Sequence, residues 1–106
     1  QADIIFCAAR AGTQVLSLEQ MKLAKMVKVL ADVNAVPPAG IEGVGLKDDA
    51  IEHQCGAFSI GPLTSGDLKV KTQYKMFEEM CATEKPLYLN FSQALDISRA
   101  ILGIQK

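Results

Sequence analysis

Along this chain the apolar residues gather into five segments, divided by turn-forming residues at Gly12, at Pro37-Pro38-Ala39-Gly40, at Gly61-Pro62 and at Lys85-Pro86. Over residues 3–11, Asp3 would cap a short helix, Arg10 would sit on its negative end and Gly12 would stop it. The same run also fits a buried strand, because periodicity does not separate the two at this length. The pattern predicts a helix over 18–33. Ser17 and Gln20 form a capping box at its start. Leu23, Met26, Val27, Leu30, Ala31 and Val33 make one broad apolar arc, with Lys22, Lys25, Lys28 and Asp32 on the other side. Met21 and Val29 intrude on that polar side, which marks them as interaction residues, since a simple surface helix would not need them there.

The double proline makes 34–45 a loop. A further helix is expected over 46–54, with Asp48, Asp49 and Glu52 near its positive end. The segment 65–83 carries two patterns. Val70, Tyr74, Phe77 and Cys81 recur at helical spacing behind a Thr64/Asp67 capping box. Leu68, Val70, Thr72 and Tyr74 also alternate with Lys69, Lys71, Gln73 and Lys75, as in a strand. The propensity of Met76-Phe77-Glu78-Glu79-Met80 decides for helix. A last helix, 91–103, is capped by Asn90, which also begins an Asn-Phe-Ser glycosylation triplet and is better read as the cap. The sum is an all-α fold, a compact bundle of four or five short helices with Phe6, Val27, Leu30, Phe77, Leu95 and Ile101 in its core. The alternative is an α+β fold with a small antiparallel sheet including 68–76.

Composition supports one globular domain over 1–106: 106 residues, of which 49% are hydrophobic, give enough apolar surface for a core. The chain opens on Gln1 rather than Met, which points to a processed chain or a fragment of a longer protein. A net charge of −1, spread evenly over both halves, argues against a dedicated nucleic-acid binder. No run of eighteen apolar residues offers a membrane span. Cys7, Cys55 and Cys81 are odd in number and far apart, so they read as reduced thiols. That suits a cytoplasmic or other reducing intracellular compartment, or the inside of a viral particle.

No residue set reads as catalytic. On a helix, His53 and Cys55 would point about 200° apart, too far for a nucleophile and its base. No close cysteine pair announces zinc, and no metal or cofactor is expected. The glycine-rich run 40–47 lacks the Ser or Thr that follows the lysine of a phosphate loop, and Glu42 would repel phosphate. The chain is therefore read as a non-enzymatic interaction or self-assembly module. It would act through apolar helix faces on a protein partner or on a second copy of itself, as a homo-oligomer. Its four methionines, all on expected helices, suit such adaptable surfaces.

The alternative rests on two lysine clusters: Lys22, Lys25 and Lys28, then Lys69, Lys71 and Lys75. These would contact the phosphates of single-stranded nucleic acid, or an acidic partner, in a viral coat or nucleocapsid-type domain. The stretch 16–55, a helix, a Val36-Pro37 turn and a second helix ending in His53-Gln54-Cys55, resembles filamentous plant virus coat proteins. The likeness covers under half of the chain and assigns no residue a role.

Overall fold

A computed structural model describes residues 1–104 and shows an α+β protein rather than a helical bundle. Its elements are β1 (Ile4–Cys7), α1 (Leu18–Met21), β2 (Val29–Asp32), β3 (Asp49–Glu52), β4 (Phe58–Ile60), α2 (Pro62–Ala82) and α3 (Phe91–Ile101). They form two compact units, one from Gln1 to Gly66 and one from Asp67 onward. The first holds a four-stranded sheet in the order β1-β2-β4-β3. β2 pairs parallel with both β1 and β4, and β3 closes the far edge antiparallel to β4.

The expected 18–33 helix is corrected to a single turn, a loop and a strand. The Ser17/Gln20 capping box is present, but α1 ends at Met21. From Lys28 the backbone turns to its neighbours instead. Lys28 and Val29 donate to Asp3 O at 2.7 and 3.2 Å, and Phe58 donates to Lys28 O at 2.9 Å. Helix propensity is a weak prior, and pairing on both sides of β2 outweighs it. The expected 46–54 helix gives way to the β3–β4 hairpin. Asp48 closes its entry, accepting from Gly45 N at 2.8 Å and from Ser59 Oγ at 2.6 Å. Gly61 fits here because a Cβ would run into the backbone of Gly45 and Leu46.

Alternation along the strands separates two faces. Cys7, Leu30, Asp32 and Ser59 point inward and are buried, and Cys7 and Leu30 form a core with Met21, Ile41, Val44 and Ala57. Ile4, Phe6 and Phe58 point the other way and are exposed. Phe6, expected in the core, is 65% exposed because its neighbour Cys7 takes the inward position.

The helical choice for 65–83 agrees with the structure, so among the described residues the alternative sheet through 68–76 is absent. Helix α2 begins at Pro62, and Thr64 Oγ1 donates to Asp48 O at 2.8 Å rather than capping it. Asn90 caps α3 as expected, its Oδ1 accepting from Ser92 N at 2.9 Å. The Thr72 and Ser98 hydroxyl oxygens of α2 and α3 lie 2.9 Å apart. Phe77 and Leu95, expected in the core, are 64% and 50% exposed. Among the described residues no helix is long and apolar enough to cross a membrane.

Candidate functional site

In parallel α/β sheets, ligands bind beyond the carboxyl ends of the strands. Here the ends of β1 and β2 lie side by side, in the register Cys7 to Asp32, and each runs into a loop: 8–16 and 33–41. One buried carboxylate and one buried amide hold those loops. Asp32 is fully buried, and both its oxygens accept backbone N–H groups, from Asn34 at 2.9 Å and Ile41 at 3.0 Å. Asn34 Oδ1 accepts from Gly12 at 3.2 Å and from Val36 at 3.0 Å, while Nδ2 donates to Pro38 O at 2.9 Å. Val33 N also donates to Cys7 O at 3.1 Å.

The two side chains thus tie the loop after β1 to the loop after β2. Gly40 completes the node, since a Cβ there would meet Cys7 Sγ at 2.6 Å and the Asp32 carboxylate. Its carbonyl accepts from Val15 and Leu16 at 2.8 and 3.1 Å. Around this rigid base the side chains of Arg10, Thr13, Val33 and Val36 are exposed.

A second polar cluster lies in the same unit. His53 ends the β3 arm of the hairpin and is 5% exposed. Its Nε2 is 2.8 Å from Glu42 O, and its Nδ1 is 3.1 Å from both the backbone N and Sγ of Cys55. Sequence reasoning separated these two residues by assuming a helix; the hairpin turn brings them together. The Glu42 carboxylate in turn accepts from Leu18 N at 2.8 Å.

The other singled-out residues are placed as follows. Met21 is 3% exposed and belongs to the core. Val29 is half-buried in the middle of the sheet, between Ile4 and Phe58. Lys22, Lys25 and Lys28 are exposed in the first unit, where Lys28 pairs with Asp3 at 3.2 Å. Lys69, Lys71 and Lys75 are exposed on α2 in the second. Lys71 is held by Asp67 at 2.6 Å and Lys75 by Glu78 at 2.7 Å. The Glu78 carboxylate raises the Lys75 ammonium above the ordinary lysine range, through its hydrogen bond first and its charge second. Sequence reasoning missed Asp32 and Asn34 as a node. Their signal was an Asp-x-Asn triplet ahead of the double proline, residue types that bond their own backbone two residues on.

The parallel strands β1, β2 and β4 and the braced loops after β1 and β2 belong to an α+β fold. No family model matches the chain. It is similar to the NAD(P)-dependent methylenetetrahydromethanopterin dehydrogenase of Methylorubrum extorquens, at 38% identity over 103 residues, which is 96% of this chain. The chain spans 35% of the length of that relative. The match overturns the expectation of a non-enzymatic assembly module, and equally that of a viral coat domain, because nearly the whole chain aligns with part of an enzyme.

Proposed function

We propose that this chain forms part of an NAD(P)-dependent dehydrogenase acting on methylenetetrahydromethanopterin or a close pterin relative. The observation that carries this reading is the 38% identity sustained over 96% of the chain. The fold agrees with it, since dinucleotides bind outside the carboxyl ends of parallel strands.

In this reading the chain lends a nicotinamide dinucleotide one wall of its crevice and not its phosphate cradle. After β1 the chain reads Ala8-Ala9-Arg10-Ala11-Gly12-Thr13, without the Gly-x-Gly-x-x-Gly spacing that lets a backbone approach a pyrophosphate. The parallel strands also advance in one direction, β1 to β2 to β4, and the step back in the order is made by the antiparallel β3–β4 hairpin. In this reading loops 8–13 and 33–36 flank the cofactor, and Asp32 and Asn34 act by fixing those loops. A bound nicotinamide supplies the hydride acceptor. The chain's part is orientation: the Gly12 and Val36 amides are engaged by Asn34, so the loops are set before binding and less ordering is required of the complex.

The test is an assay on the natural polypeptide. With methylenetetrahydromethanopterin and NAD+ or NADP+ together, the near-ultraviolet absorbance of reduced nicotinamide should rise, and omitting either should stop it. Calorimetry should show saturable binding of NAD(P)H. Absence of both turnover and nucleotide binding would refute the reading.

A further inference from the structure

We infer that the open edge of β1 and the apolar face beside it receive a further parallel β-strand with its helix, supplied by the rest of the dehydrogenase. Strand β1 lies at the edge of the sheet. Asp3 O and Cys7 O accept from Val29 N and Val33 N at 3.2 and 3.1 Å, so these alternate residues bond towards β2. By the alternation of a strand, Ile4 and Phe6 direct their N–H and C=O groups to the open side. Edge strands are ordinarily blunted by lysine, proline or a bulge, because such a row of groups recruits another strand. Ile4-Ile5-Phe6-Cys7 carries neither residue, and its register on β2 is unbroken.

The bare face carries the same message. Ile4 and Phe6 of β1, Val29 and Ala31 of β2, and Phe58 and Ile60 of β4 share it by register, and all six are apolar. A face meant for water would be polar, whereas parallel strands are covered on both sides. The connections of the first unit cover only the opposite face. Met21 comes from between β1 and β2, Ile41 and Val44 from between β2 and β3, and all three pack with Cys7 and Leu30. Right-handed crossovers account for this, because successive steps in one direction, β1 to β2 to β4, put their connections on one face. A step in the other direction, away from the open edge of β1, puts its helix on the bare face beside Ile4 and Phe6. One strand with its helix thus pairs the edge and covers the face, whereas the edge strand of a second copy would only pair the edge. The source of the strand rests on the dehydrogenase reading: the chain spans 35% of the length of the similar enzyme, which leaves room for such a unit.

The experiment measures backbone hydrogen exchange, residue by residue, in the natural polypeptide. The Ile4 and Phe6 amides should exchange within about tenfold of the Ile5 and Cys7 amides, which β2 holds already. Exchange at least about a hundredfold faster than at Ile5 and Cys7 would mark an open edge and overturn the inference. Protection that disappears on dilution would assign the edge to a second copy and overturn it equally. Hydroxyl-radical labelling reads the face. Phe6 is 65% exposed, so without a cover its labelling in the folded protein would fall less than twofold below that of the urea-unfolded chain. A fall of about fivefold or more is expected, and a fall of less than twofold would overturn the covering helix. The two readings fail separately: turnover with an open β1 edge would refute this inference alone, and a protected edge without turnover or nucleotide binding would refute the dehydrogenase reading alone.

Discussion

Asp32→Asn changes one oxygen to an amide nitrogen and almost no volume, so it isolates the polar role of the node. Asp32 is fully buried, and each carboxylate oxygen accepts a different backbone N–H, at 2.9 and 3.0 Å. However the asparagine turns, its NH2 faces either the Asn34 or the Ile41 N–H, donor against donor. A stranded buried donor costs about 1–3 kcal/mol, and the remaining bond loses its charge assistance, so the total is about 3 kcal/mol. With a urea dependence of about 1.5 kcal/mol per molar, the unfolding midpoint should fall by about 2 M. The readout is alkylation of Cys7 across a urea series, resolved by peptide mass spectrometry. Cys7 is 5% exposed in the same unit, so its labelling follows the unfolding that matters. Val33→Thr, on an exposed neighbour, is the control and should move the midpoint by no more than about 0.5 kcal/mol equivalent. An Asp32→Asn midpoint matching that control would refute the claim that the carboxylate holds the loops.

Three further outcomes follow from other parts of the molecule. Gly61→Ala places a methyl against the Gly45–Leu46 backbone, which has no soft end to yield, and should cost about 2–3 kcal/mol in the same Cys7 assay; a neutral result would show that the hairpin is not clamped there. Asn90→Ala removes the α3 cap and should cost about 1 kcal/mol, seen as faster amide exchange in the first turn of that helix; unchanged exchange there would show that the cap does not hold it. By NMR titration the Lys75 ammonium should lose its proton above the ordinary lysine range, and Glu78→Gln should bring it down. Because the folded value is raised, any benefit of that pair is complete below the ordinary lysine pKa and disappears as pH climbs through the folded one.

What could be read from the chain, and what could not, follows from the range of the interactions involved. Helices α2 and α3 are set by contacts within three or four residues, and the decisive signals, Met76–Met80 propensity and the Asn90 cap, lie inside those windows. The strands of the first unit are set by partners much further away. Val29 pairs with Ile4 on one side and Phe58 on the other, and no local window contains either. A central parallel strand is apolar on both faces, so Val29-Leu30-Ala31 offered no alternation to oppose the helical arc drawn through it. The Ser17 capping box was real and misleading together, because it starts a single turn that tertiary pairing then stops.

The same cause hid both polar clusters. Asp32 was assigned to the solvent side of a helix that does not form, and in β2 the alternation sends it inward instead, where Asn34 and Ile41 satisfy it. His53 and Cys55 were set apart by a helical angle, and a hairpin turn reverses that conclusion with no change in their spacing. An error in one element therefore displaced every chemical inference placed upon it. Replacing the 18–33 helix by a single turn, a loop and a strand is what brings the loops after β1 and β2 side by side and shows Asp32 and Asn34 bracing them.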